Sequence, residues 1–169
     1  RAGHNLIIVV GGGGLARQYI AAARRFQIDE AHCDLLGIEA SRLNARLLAA
    51  ALGDKAHQKI SNSLEEVTLA CQSGRVVLSG GFAPGHSTVA VSTLVSEAVG
   101  ADLLIVVTDV DGVYTADPRK DRRAKKLSEV DLKHVRRIFY ESAEKAGEYR
   151  LFDQVSLNVI ERSKMRVVV

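Results

Sequence analysis

The chain has 169 residues, 47% of them hydrophobic, enough for one domain with a sizeable core and too few for two comfortable ones. Its 23 Lys and Arg against 20 Asp and Glu leave a net charge of +3, which implies neither disorder nor wholesale nucleic-acid binding. Cys33 and Cys71 stand far apart without a CxxC pair or a histidine cluster, which argues against a zinc site or disulfide scaffold and for a reducing cytoplasm, and no stretch approaches the roughly 20 apolar residues that span a bilayer.

Leu6 to Val10 is a β-branched and aliphatic run closed by Gly11 to Gly14, the pattern of a strand buried on both faces, and too short for a signal segment. Leu15 to Phe26 places Ala16, Tyr19, Ile20 and Ala23 at helical spacing. From Asp29 to Leu52 leucines recur every three or four residues, predicting a long helix with Gly37 as a possible bend and Gly53 as its stop. A helix over 63–72 follows, capped by Asn62 or Ser63, then a buried strand over 75–78 and two more glycines, Gly80 and Gly81.

Ser87 to Val99 reads as a helix closed by Gly100, and Asp102 to Val107 as the most hydrophobic strand. After the basic stretch Arg119 to Lys126, helices are expected over 130–140 and 152–162, and a final strand over 166–169. The alternation implies an α/β domain with a mainly parallel sheet, and no internal repeat is visible. The opening Arg1 and the closing apolar run lead to the expectation of a fragment, truncated at both ends.

In an open parallel sheet, ligands sit beyond the carboxyl ends of the strands, and three strand ends here carry unusual loops: 11–14, 80–88 and 108–118. Glycines at 11–14 let backbone amides approach an anion, the next helix adds its N-terminal dipole, and Arg17 can fork two donors toward a phosphate. A plain tight turn and a solvated arginine are the alternatives. The stretch is not a P-loop, and although Gly11, Gly13 and Ala16 permit the alanine-ended dinucleotide fingerprint, the acidic residue that should end a second strand is missing, Asp34 falling in the long helix instead. In the second loop Pro84-Gly85 sets a turn, Phe82 offers an apolar face, Ser87 and Thr88 can cap a helix or bind a ligand, and His86 reads as a polar loop residue rather than a general base. The third loop sets Asp109 and Asp111 after a buried strand, with Tyr114 and Asp117-Pro118 beyond.

Gly11 to Arg17, Asp34-Leu35-Leu36-Gly37, Gly80 to Thr88, and Asp111-Gly112-Val113-Tyr114 through Asp117-Pro118 together resemble the archaeal-type uridylate kinases of the amino-acid kinase superfamily, in order and spacing across nearly the whole chain. Ala146-Gly147 with Asp153, and Ile160 to Lys164, extend the likeness. The resemblance implies a three-layer sandwich, a mainly parallel sheet flanked by helices, that transfers phosphate from ATP to UMP with Mg2+, usually as a hexamer. It places UMP against Gly12, Asp34, Phe82, Ala83, Pro84, Gly85, His86, Ser87 and Thr88, with Asp34 accepting from the ribose hydroxyls. It places ATP against Gly13, Arg17, Thr108, Asp109, Tyr114 and Asp117, with Tyr114 on the base. It assigns no catalytic side chain and no protein metal ligand within this chain.

The sequence departs from the family in four places. The family's opening strand, with a lysine and a glycine pair that grip the transferring phosphate, is expected upstream of Arg1. Val89 stands where an aspartate is usual after Ser87-Thr88, Gly14 where a basic residue is common, and Glu148 where a small hydroxyl residue is usual. Val89 leaves a second reading open, a nucleotide-binding or regulatory paralogue without turnover, and a third is a relative acting on a carboxylate or an isoprenoid phosphate. The basic stretch Arg119 to Lys126 reads as a solvated surface rather than an RNA site, since Tyr114 is the only aromatic beside it.

Overall fold

Short apolar strands and longer amphipathic helices alternate along the computed structural model, which describes residues 5–116, 118, 121–141 and 151–169. In chain order they are β1 (Ile7–Val9), α1 (Gly13–Arg25), α2 (Glu30–Leu52), α3 (Leu64–Cys71), β2 (Val77–Ser79), α4 (Thr88–Val99) and β3 (Leu104–Ile105). Then come β4 (Val113–Tyr114), β5 (Lys126–Leu127), α5 (Leu132–Glu141), α6 (Gln154–Ser163) and β6 (Val167–Val168).

Helix starts are set by short polar side chains that satisfy first-turn amides. Asp29 accepts from the His32 amide at 3.0 Å, Ser87 from Ala90 at 3.0 Å and Asp153 from Ser156 at 2.7 Å. For α3 the cap is Ser63, which accepts from the Glu66 amide at 3.2 Å, while Glu66 reaches back to the Asn62 amide at 2.8 Å. Gly100, left-handed at φ 62°, closes α4. Helix α2 runs through Gly37 without interruption, and the bare Cα there leaves room for Ile20 of α1.

β1 and β2 pair in parallel, Ile8 opposite Leu78, and on the far side of β2 the segment 56–61 adds bridges from Ala56 to Val76 and from Ser61 to Ser79. The pleat of β2 decides the layering. Leu78, fully buried, packs on Ala45 and Ala49 of α2, small residues that let helix and strand approach; Val77 packs on Val67 of α3 and Val91 and Val95 of α4. Burying a leucine of this kind stabilises the fold by about 1.5–3 kcal/mol. The strand is thus covered on both faces, a three-layer arrangement.

A separate core gathers Leu104, Val106, Val113, Val135, Leu151, Phe152, Leu157 and Ile160, around the parallel pair β3 and β6. Helix α4 joins the halves: Val91 and Val95 face the first core, Val89 packs against the second, and Glu97 accepts from Arg162 Nε of α6 at 2.8 Å. Among the described residues the expected parallel sheet is therefore built from separate parallel pairs. The stretch after β3, expected as loop, forms an antiparallel hairpin of β4 and β5 that sets Tyr114 opposite Lys126. Both strands have only two residues, too few to show a period of two in the sequence.

Candidate active site

The glycine loop after β1 is fixed from beneath by α2. Asn44 Nδ2 donates to the Gly11 carbonyl at 2.9 Å and to the Gly12 carbonyl at 3.2 Å. With both carbonyls turned to Asn44, the loop passes into α1 through Gly12, where no side-chain cap hydrogen bond is made. A Cβ at Gly12 would stand 2.4 Å from Ala16 Cβ and 3.1 Å from the Gly37 carbonyl, so glycine is required by the approach of α1 to α2. The first-turn amides of α1 are left without a side-chain cap, and the helix dipole adds to them, an arrangement suited to an anion. Arg17, one turn on, is exposed, and among the described residues it has no ion-pair partner.

The same helix holds the loop after β2. Ser41, 1% exposed, donates to the Ile38 carbonyl at 2.6 Å and accepts from the Gly81 amide at 2.8 Å. Arg42 Nε donates to the Gly81 carbonyl at 3.2 Å, and Asp34 Oδ2 accepts from the Gly85 amide at 2.8 Å. At Gly80 a Cβ would lie 2.5 Å from Ser41 Oγ and 2.8 Å from the Arg42 backbone nitrogen, so the strand end and the helix meet where no side chain fits.

Between these elements lies a crevice of about 110 Å3, lined by Ile20, Asp34, Ile38, Ser41, Ala83, His86 and Thr88 with Gly37 and Gly81. Of the residues expected to hold UMP, Asp34, Ala83, His86 and Thr88 line it, and Gly85 is bonded to one of them. Thr88 Oγ1 would be 3.7 Å from a Cβ on Gly11, so the first and second loops meet at the crevice mouth. Gly12 does not line it but lies against Gly37 and Ser41, which do. Phe82, half-buried, packs against the core of Val67 and Val91 and is not among the residues lining the crevice. The Pro84 carbonyl is 3.3 Å from His86 Nδ1, and Ser87 serves as the cap of α4.

Ser87 has a second task. Burial pushes the Asp153 carboxyl up, but hydrogen bonds from the Ser156 amide and from Ser87 outweigh it and hold the group below the usual carboxylate range. Asp153 is thereby the cap of α6 and a tie from that helix to the second loop. Val89, two residues on, packs against the core of Val106 and Val113.

The third loop is braced by its own polar bonds. Asp111 accepts from the Tyr114 hydroxyl at 2.6 Å and from Lys126 Nζ at 3.0 Å, which lower its pKa, while the same contact raises that of Tyr114. Thr108 Oγ1 donates to Asp109 Oδ1 at 3.2 Å. Lys126, read from the sequence as part of a solvated basic stretch, is thus engaged with an acid of this loop. Asp117, and Ala146, Gly147 and Glu148 further on, lie outside the described residues.

Asn44, Ser41 and Arg42 were not singled out from the sequence. A signal was present: Asp34, Ile38, Ser41 and Asn44 fall at spacings of four and three, one helical face, and polar residues on a face that also carries buried positions need partners.

Residues 1–169 match the profile of the amino acid kinase family. The chain is 49% identical over 168 residues to the uridylate kinase of Sulfurisphaera tokodaii, covering 99% of this chain and 74% of that protein. To the uridylate kinase of Hyperthermus butylicus it is 46% identical over 165 residues, covering 98% and 73%. Its fold superposes on the crystal structure of uridylate kinase from Archaeoglobus fulgidus with a TM-score of 0.87 at 38% identity, covering 98% of this chain and 75% of that one.

Proposed function

Because the chain belongs to the amino acid kinase family, we propose that it is a uridylate kinase, one kinase domain over residues 1–169 that transfers the terminal phosphoryl group of ATP to UMP, giving UDP and ADP. The observation that carries this reading is the crevice in which the second loop is bonded to α2 through Asp34 and Gly85. With Oδ2 taken by the Gly85 amide, Asp34 Oδ1 is available to accept from ribose hydroxyls. Ala83, His86 and Thr88 border the nucleotide, and the turn at Pro84-Gly85 closes over it.

ATP lies across the glycine loop. Its phosphates meet the first-turn amides of α1 around Gly13 and the guanidinium of Arg17, and its nucleoside end reaches Thr108, Asp109, Tyr114 and Asp117. A UMP phosphate oxygen attacks the γ-phosphorus as the bond to the ADP bridging oxygen breaks, so no covalent enzyme intermediate forms, and the chain contributes position and charge neutralisation. Among the described residues no cluster of three His, Cys, Asp or Glu side chains is placed to cage an ion. A magnesium ion carried by the nucleotide phosphates would supply charge neutralisation there. The protein works in the cytoplasm as a homo-oligomer, and among the described residues no helix is long and apolar enough to cross a membrane.

The test is nucleoside diphosphate formation with ATP and Mg2+ against UMP, CMP and AMP. UDP formation at least about tenfold faster than CDP or ADP formation from the competing monophosphates is expected, a discrimination of about 1.4 kcal/mol or more. No UMP-dependent turnover, together with no thermal stabilisation by UMP, overturns the reading.

A further inference from the structure

Few side chains in the crevice can sort one nucleobase from another, and their hydrogen-bonding polarity can be assigned one by one. Those with polar groups are Asp34, Ser41, His86 and Thr88. Ser41 is engaged as donor to the Ile38 carbonyl and as acceptor from the Gly81 amide, at 2.6 and 2.8 Å. Asp34 only accepts, and one of its oxygens is held by the Gly85 amide. The hydroxyl of Thr88 rotates and can offer either a proton or a lone pair, so it favours neither base.

His86 differs from all three. Its Nδ1 lies 3.3 Å from the Pro84 carbonyl, and a carbonyl only accepts. In the neutral ring the proton therefore sits on Nδ1, and Nε2 is left with a lone pair. The imidazole is an acceptor of fixed polarity on the crevice wall. Its place along the loop says which part of a nucleotide it meets. Gly85, the residue before it, sits at φ 79° and donates its amide to Asp34 at 2.8 Å. The acceptor for the ribose and the imidazole are thus neighbours in the loop, as the sugar and the base are neighbours in a nucleoside.

We propose that His86 is the residue that separates uracil from cytosine, its Nε2 accepting the N3–H of the uracil ring. Uracil N3 bears a proton, whereas cytosine N3 bears a lone pair. Uracil completes the hydrogen bond, and cytosine sets two lone pairs against each other, leaving both without a partner. A site built around such a bond rejects the analogue that cannot make it more strongly than apolar contacts alone could. Placing Nε2 opposite ring position 4 would reverse the preference, since cytosine has an amino donor there and uracil a carbonyl acceptor. The inference rests on the uridylate reading of the crevice and adds to it the group that selects the base.

Isothermal titration with UMP, CMP and 3-methyluridine 5′-monophosphate, which lacks the N3 proton, tests it on the chain, on His86→Ala and on His86→Gln, with circular dichroism confirming that each is folded. The chain is expected to bind UMP at least about tenfold more tightly than either analogue. In His86→Ala, UMP should weaken about tenfold while CMP changes by less than about threefold, so the preference collapses. His86→Gln, whose amide oxygen accepts, should recover UMP binding to within about threefold of the unsubstituted chain. A preference for UMP over CMP that survives or grows in His86→Ala overturns the proposal and leaves the uridylate reading standing, as does a glutamine variant no stronger than the alanine one. No binding of UMP by the unsubstituted chain overturns both.

Discussion

The carboxylate of Asp34, in the second turn of α2, accepts the amide hydrogen of Gly85 at 2.8 Å across 51 residues of sequence. This bond holds the middle of the second loop, between Ser41 and Arg42 at its Gly81 end and Ser87, tied to Asp153, at the other.

Replacing Asp34 with alanine removes both the loop restraint and the acceptor for the ribose hydroxyls. Hydrogen bonds to a charged group contribute about 1.5–3 kcal/mol, so KM for UMP should rise about ten- to a hundredfold. KM for ATP should stay within about twofold, since Asp34 borders only the acceptor side of the crevice. Steady-state kinetics with each substrate varied in turn separates the two. A rise in both constants together would mean that Asp34 shapes the whole crevice instead of the acceptor pocket.

Asn44 has the converse profile. Its side-chain amide holds the carbonyls of Gly11 and Gly12, and without it the loop amides lose the orientation that presents them to a phosphate. Asn44→Ala should raise KM for ATP about tenfold and leave UMP affinity near its starting value, as measured by the same kinetics and by UMP titration without ATP. Asn44→Asp, which cannot donate, should behave like the alanine variant.

Ser41 tests the join between strand and helix. Its hydroxyl is buried and satisfied at both ends, so Ser41→Ala leaves the Gly81 amide without its partner and should cost about 1–3 kcal/mol in urea unfolding. Gly80→Ala should be at least as severe, because its methyl would sit against backbone atoms of α2 that cannot move aside.

The tie between α6 and the second loop gives a pH dependence. The Asp153 carboxyl is held below its usual range in the folded state, so its contribution to stability is fully present at neutral pH and is lost as pH falls through the folded-state value. Asp153→Asn removes the titration while keeping a helix cap. The stability difference between wild type and this variant should shrink steadily as pH falls from about 6 toward about 3. A constant difference over that range would mean that the carboxylate charge plays no part.

Much of the fold was legible because its signals are local. The glycine closures at Gly53 and Gly100, the polar caps and the apolar runs each act over one turn of chain, and they placed the main helices within a few residues. Asp34 was correctly set in a helix for the same reason. What the sequence concealed is long-range: that Ser41, Arg42 and Asn44 each reach a loop some thirty to forty residues away is a property of how α2 lies across two strand ends. Phe82 was read from the sequence only as an apolar face for a ligand, and its packing against the core of Val67 and Val91 was not legible there. The β4 and β5 hairpin was invisible because its pairing of Val113 with Leu127 has no alternation long enough to read. Val89 could be judged from the sequence only as a departure from a family pattern, whereas the structure gives it a packing role against Val106 and Val113.

The most direct test of the acceptor assignment is isothermal titration of the chain with UMP, CMP and AMP, repeated on Asp34→Ala. Saturable binding of UMP, at least about tenfold tighter than CMP or AMP and weakened about tenfold or more in the variant, is the expected result. Equal affinity for the three monophosphates, or UMP binding unchanged by the loss of Asp34, would contradict it.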